Sequence, residues 1–218
     1  MNNPRFSAIL DLIGRAHTVA DVGCDHGYVG ASLLESGAAS EVWFTDVSEK
    51  ALSRAQNLLR EKALPGARFF SGDGFAPLPG KPDAAVIAGM GGETIAHILT
   101  HPFAETRVVL QPMRDAERLY RDLTTLGFRV LRVFVIYQER RYYQIIEACP
   151  GTPREDQADY PLSALRYDET ARAFFEHQKK WLEKAARQAE KATEETGRRE
   201  EILRKIQRIS EVLAAWPQ

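Results

Sequence analysis

The stretch Val19-Ala20-Asp21-Val22-Gly23-Cys24-Asp25-His26-Gly27-Tyr28 decides the fold. An apolar run ends in a carboxylate, a turn with two glycines follows, and a helical stretch begins at Val29. That order predicts a strand, a tight turn and a helix. Gly23 and Gly27 let the backbone bend sharply and come close to a ligand. Phosphate-binding turns rely on glycines and a bare helix N-terminus, with no added negative charge. Here Asp21 and Asp25 make the turn acidic, which suits a cationic group on the ligand. A strand–turn–helix corner with a capping Asp is the plainer alternative at this point.

Outward from this turn the pattern repeats. Short apolar runs at 18–22, 41–45, 67–70, 84–88 and 107–110 alternate with helical stretches at 29–36, 48–63, 93–99 and 116–126. A further helix carries Phe6, Ile9, Leu10 and Ile13 and should stop at Gly14. Ser48 is the expected N-cap of its helix, with Ala51, Leu52, Ala55, Leu58 and Leu59 behind it as the buried face. Brief connections between alternating strands and helices imply a parallel sheet covered on both faces. The pattern changes at 128–136 and 142–148, two strand-like segments separated by Tyr-Gln-Glu-Arg-Arg, a gap that suits an antiparallel hairpin.

Residues 149–160 are poor in large apolar groups and flanked by Pro150, Gly151, Pro153 and Pro161, the signature of a linker. The expected domains are therefore 1–150 and 161–218. In the second, Ala171, Phe175, Gln178, Leu182, Ala185, Ala189 and Ala192 form a heptad seam. Residues 193–199, with Gly197, break it, and Ile202, Ile206, Ile209 and Leu213 resume it. This predicts a coiled-coil-like α-helical hairpin. Phe174, Trp181 and Trp216 are expected to pack beside the seams, or to serve a nucleic-acid-gripping arm.

Three further motifs follow the later strands. Phe44-Thr45-Asp46-Val47-Ser48 places a carboxylate about 20 residues beyond the glycine turn, where a ribose diol is held. Ser71-Gly72-Asp73-Gly74-Phe75 puts another carboxylate within reach of an adenine amino group. Ile87-Ala88-Gly89-Met90-Gly91-Gly92-Glu93 lets a flat group or a methyl donor approach the backbone. Such loops lie at the carboxyl ends of strands, where open α/β sheets bind ligands. The acidic first turn argues against a nicotinamide dinucleotide and for the ammonium or sulfonium of S-adenosylmethionine.

Taken in order, Asp-Val-Gly-Cys-Asp-His-Gly-Tyr, Gly-Asp-Gly-Phe, Ile-Ala-Gly-Met-Gly-Gly, Leu110-Gln111-Pro112 and Tyr142-Tyr143-Gln144-Ile145-Ile146 resemble the bacterial tRNA (adenine-22-N1)-methyltransferase family, TrmK. The resemblance spans about residues 4–150. It implies a Rossmann-like, seven-stranded class I methyltransferase sheet, S-adenosylmethionine as the methyl donor, tRNA as the substrate and a helical C-terminal domain. Donor-binding residues would be Asp21, Gly23, Asp25, Gly27, Asp46, Val47, Asp73, Gly74, Gly89, Met90 and Gly91. Asp25, His26 and Tyr28 would form the catalytic rim.

Aromatic and basic residues together suit RNA, and Tyr137, Tyr142 and Tyr143 flank Arg140 and Arg141. Arg114, Arg118 and Arg121 form a second strip, diluted by Asp115, Glu117 and Asp122. The formal net charge is −1, so any polyanion contact must be local. Residues 166–218 hold 12 Lys+Arg against 10 Asp+Glu, a mixed solvated face. With two cysteines, Cys24 and Cys149, neither a zinc site nor a disulfide is expected. No apolar run approaches the roughly 20 residues of a membrane span, and the N-terminus lacks the apolar core of a secretory signal. The expectation is a cytoplasmic enzyme, monomeric by preference, with no metal. The alternatives are a methyltransferase acting on another RNA or protein site, and a non-catalytic nucleoside-binding interaction protein.

Overall fold

The computed structural model describes residues 3–158, 161–191 and 196–217. It opens with α1 (Pro4–Ile13), whose first amides are capped by the Asn3 side chain, with Gly14 at its end. There follow β1 (Ala16–Val22), α2 (Tyr28–Glu35), β2 (Ala39–Asp46), α3 (Glu49–Glu61) and β3 (Ala67–Ser71). The second half of the sheet domain is β4 (Ala84–Gly91), α4 (Gly92–Ile98), β5 (Arg107–Arg114), α5 (Ala116–Thr125), β6 (Phe128–Gln138) and β7 (Arg141–Pro150). Ser48 caps α3 as expected, its Oγ accepting from the Ala51 amide at 3.3 Å.

All seven strands join one sheet in the order β3-β2-β1-β4-β5-β7-β6. Neighbours are parallel except β7, which runs antiparallel to both β5 and β6. This is the Rossmann-like methyltransferase sheet. Each face carries its own core. Ile9, Leu12, Leu33, Phe44, Leu52 and Leu59 fill one, under α1, α2 and α3. Phe75, Ile95, Leu119, Tyr120 and Leu123 fill the other, under α4 and α5. Burial on both faces explains why the central strands read as continuous apolar runs. The strand order reverses between β1 and β4, so a crevice opens there at the carboxyl edge.

Close packing at that crevice depends on Gly30 inside α2. A Cβ there would lie 2.2 Å from the Phe44 ring and 2.9 Å from Asp21 Oδ2. In an open helix Gly→Ala stabilises by roughly 1 kcal/mol. Here overpacking wins, and Gly30→Ala should lower unfolding free energy by about 1–3 kcal/mol in urea titration. An unchanged or raised midpoint would refute the packing argument.

Two sequence expectations change. The segment read as a linker is held against β6. Buried Gln157 accepts from the Val130 amide at 2.8 Å and donates to Phe128 O at 2.7 Å. Leu165 bridges to Val133. The chain accordingly divides into Met1–Leu165 and Arg166–Gln218. The hairpin between β6 and β7 is also tighter than the five-residue gap suggested. Only Glu139 and Arg140 form the turn, with φ of 50° and 62°. Positive φ at both positions is the type I′ pattern, normally Asn-Gly. Non-glycine residues there cost about 1–2 kcal/mol each.

The second unit is a helical pair, α6 (Glu169–Lys191) and α7 (Thr196–Ala214). Ala171, Phe175 and Leu182 of the first seam segment are buried, as is Ile209 of the second. Ala192 and residues 193–195 of the expected break lie outside the described residues. Gly197 belongs to α7 instead of the break. Of the bulky residues beside the seam, Phe174 is buried and Trp216 packs edge-on to Tyr167 and Phe175. Trp181 does not pack inward; it is 64% exposed.

Candidate functional site

The loops after β1, β2, β3 and β4 meet at the carboxyl edge and are tied together by backbone. The amides of Gly23 and Cys24 both donate to Thr45 O, at 2.8 and 3.0 Å. The Gly72 amide donates to Asp46 O at 3.0 Å, and Thr45 Oγ1 donates to Gly74 O at 3.0 Å. Asp46 is oriented through both oxygens: Oδ2 accepts from the Asp25 amide at 3.0 Å and Oδ1 from the Ser48 amide at 2.9 Å. Across the crevice, the Met90 methyl occupies the space a Gly23 side chain would need, 1.8 Å from that Cβ. Gly23, with φ of 69°, is therefore required twice, by backbone conformation and by contact.

Asp21 sits beneath the turn, 4% exposed, and accepts from the Gly30 amide at 2.8 Å. Burial pushes its carboxyl from the ordinary 3.8 up to about 7; the Gly30 hydrogen bond opposes this and the Asp46 charge adds to it. A carboxylate so reluctant to ionise is relieved by a cation brought beside it. The neighbouring Cys24 thiol is also pushed up, chiefly by burial and then by Asp21 and Asp46, so it is no nucleophile.

Asp25, His26 and Tyr28 form an exposed rim. Asp25 holds a left-handed conformation at φ 46° and pairs with Arg54 of α3. His26 Nε2 lies 3.7 Å from Asp25 Oδ2. The His26 and Tyr28 rings stack at 5.5 Å with 14° between planes, and Tyr28 is 52% exposed. Val47 is exposed beside Asp46, and Asp73 is exposed on the turn after β3. Gly74 is left-handed at φ 55° in that same turn.

The Ile-Ala-Gly-Met-Gly motif is an irregular strand end instead of a loop. β4 continues through it to Gly91, with bulges on either side of Met90, and Met90 pairs with Pro112. Gly89 has φ of 82° and open space where its Cβ would stand. Gly27 packs so closely that a Cβ would meet Ala55 Cβ at 2.7 Å. Among the sequence-predicted RNA contacts, Tyr143 is instead a core residue, buried with the Arg5 guanidinium 4.6 Å above its ring. Sequence reasoning missed Gly30, Thr45 and Arg54. A glycine inside a helix was the available signal for the first; the other two act only through tertiary contact.

The residues present fit S-adenosylmethionine. A buried carboxyl suits a cationic group, a second carboxylate is fixed by two amides, and Gly89 has open space where its Cβ would stand. Among the described residues no group of His, Cys, Asp and Glu could hold a metal ion, and no helix is long and apolar enough to cross a membrane.

Comparison with known proteins agrees with this geometry. A family model described as a methyltransferase domain matches residues 2–146. A Mycoplasma pneumoniae protein assigned as a tRNA methyltransferase is 31% identical over 159 residues, 70% of this chain and 73% of its own length. The tRNA (adenine(22)-N(1))-methyltransferase of Bacillus subtilis is 25% identical over 153 residues, 67% of this chain and 64% of its own. The structure of M. capricolum TrmK with S-adenosyl-homocysteine superposes with a TM-score of 0.84 at 18% identity, covering 100% of both chains. A methyltransferase sheet, a carboxylate-lined crevice at its switch point and a family pattern running through all four edge motifs place this chain in the methyltransferase-domain family.

Proposed function

We propose that the protein transfers a methyl group from S-adenosylmethionine to N1 of an adenine in tRNA, at position 22. The observation that carries this reading is the carboxyl edge itself, where buried Asp21, backbone-fixed Asp46 and the Gly23–Met90 contact frame one crevice. The tRNA part is supported by the names of the relatives and by the stacked His26–Tyr28 rim.

In this reading Asp21 faces the donor's ammonium, Asp46 accepts from its ribose hydroxyls, Val47 and Asp73 border its adenine, and Gly74, Gly89, Met90 and Gly91 line the crevice. Bound there, S-adenosylmethionine supplies an electrophilic methyl group. Adenine N1 carries a free lone pair at neutral pH, so no side chain need take a proton before attack. The enzyme's work is alignment and stabilisation of the charge that develops on the base. Tyr28 offers a ring face to an unstacked adenine. Arg54 restrains Asp25, which keeps a carboxylate near the cationic ring as it forms.

The test is methyl transfer from labelled donor to a tRNA transcript with adenine at position 22 and to one with guanine there, followed by mapping of the modified base. Transfer confined to the first transcript is expected. Transfer to neither, or equally to both, would overturn the assignment. Asp25→Ala is expected to lower kcat by about 10-fold or more, as loss of a charge aligned with the transition state does. Full activity at normal donor affinity would remove Asp25 from the catalytic rim.

A further inference from the structure

We propose that the tip of the β6–β7 hairpin is a second RNA contact, in which Tyr137, Arg140 and Arg141 hold a looped segment beside the methyl-transfer edge. The proposal rests on the tRNA reading above and extends it to a surface that reading leaves idle. β7 pairs with β5 only from Ala148 to Ile146; from Gln144 to Arg141 it pairs with β6 alone. The tip is therefore a two-stranded ribbon, unpaired with the end of β5 beside it. Because β6 runs parallel to β4 and β5, the ribbon lies at the carboxyl edge, the same edge as Asp21, Gly89 and Met113.

Two features of the ribbon are unexplained by folding. Its turn puts Glu139 and Arg140 in the left-handed region, where Asn-Gly would sit without strain. Strained residues of this kind cluster at ligand contacts. One face carries Tyr137, 53% exposed, tilted against its cross-strand partner Tyr142 at 4.8 Å. Arg140 and Arg141 are both exposed, and among the described residues neither has an ion-pair partner. Tyr137 with Tyr142 on one face, Arg141 on the other and Arg140 at the apex set an exposed aromatic near two guanidiniums at one tip, a combination that suits an unstacked base with its phosphates close by. Arginine at the strained position trades an ideal turn for a charge at the ribbon's apex.

Three variants separate this role from a structural one: Arg140→Ala with Arg141→Ala, Tyr137→Ala, and the turn-relaxing pair Glu139→Asn with Arg140→Gly. Each is assayed for tRNA binding against salt, KM and kcat for tRNA, S-adenosylhomocysteine affinity and melting temperature. The double alanine variant is expected to bind tRNA about tenfold more weakly, with a salt slope shallower by about 1–2. Tyr137→Ala should raise KM for tRNA several-fold. The Asn-Gly variant should melt roughly 4 °C or more higher and still lose RNA affinity. Donor-product affinity should stay unchanged throughout. A more stable Asn-Gly variant with wild-type RNA binding and salt slope would overturn the proposal and leave the tip a purely structural turn. Failure of the wild-type protein to bind tRNA at all would overturn both readings. Wild-type methylation with no effect of any variant overturns only this one.

Discussion

An Asp21→Asn protein should lose the pH dependence that the wild-type fold carries between pH 4 and 7. In the folded chain burial holds the Asp21 carboxyl at about 7; in the unfolded chain it returns to 3.8. Between those values the folded state keeps a proton that the unfolded state has released, so stability falls as pH rises. The stabilisation is full below about pH 4 and gone once pH passes about 7. The interval corresponds to something on the order of 4 kcal/mol. The asparagine side chain can still accept from the Gly30 amide but cannot ionise, so its urea midpoint should lack this component. Ligand binding should show the opposite slope. If Asp21 faces the donor's ammonium, only its charged form binds well. Affinity for S-adenosylhomocysteine should then rise by up to about tenfold per pH unit towards 7 and level off above it. The asparagine variant should bind weakly at every pH. Calorimetry from pH 5 to 8 measures both slopes, and a pH-independent wild-type affinity would detach Asp21 from the ligand.

The same residue shows what could be read from the chain beforehand. Asp21 was legible because it stands where an apolar strand run meets a glycine turn, and both signals are local. Asp46 at the end of β2 and Asp73 just after β3 were legible for the same reason, whereas the glycines of Gly89–Gly91 suggested a loop and proved to be the bulged end of β4. The β7 register was not. Whether Tyr142 or Tyr143 faces outward depends on a single residue of turn length, and the turn carries Glu139 and Arg140 where a glycine would have announced it. The fate of residues 151–165 was likewise hidden. Their composition is that of a linker, yet one buried side chain, Gln157, takes up the Phe128 carbonyl and the Val130 amide and fastens the segment to β6. Glu147 makes the same point. It reads as a polar residue in a strand, but it is buried between Arg107 and Arg132, whose guanidiniums also reach the last carbonyls of α1. Partners that distant in sequence leave no local pattern.

Asp46→Ala is expected to weaken donor binding by on the order of 100-fold or more while leaving kcat nearly intact. Two hydrogen bonds from ribose hydroxyls to a charged acceptor are worth about 1.5–3 kcal/mol each. On the proposed reading Asp46 takes them, and the Asp25 and Ser48 amides already fix its two oxygens from the protein side. Removing it also leaves the Asp25 amide without its acceptor, which adds to the loss of affinity, while Arg54 still holds the Asp25 carboxylate in the rim. The ribose does not change between ground and transition state. Its contacts are therefore uniform binding, which raises KM on removal and spares the chemical step. Asp25→Ala should show the reverse balance, because a carboxylate near the reacting base acts on charge that exists only as the methyl moves. The two variants thus divide the edge into a holding half and a reacting half. Equal loss of kcat in both would mean that the Asp46–Asp25 hydrogen bond makes the crevice one unit, with alignment of the rim depending on the ribose carboxylate.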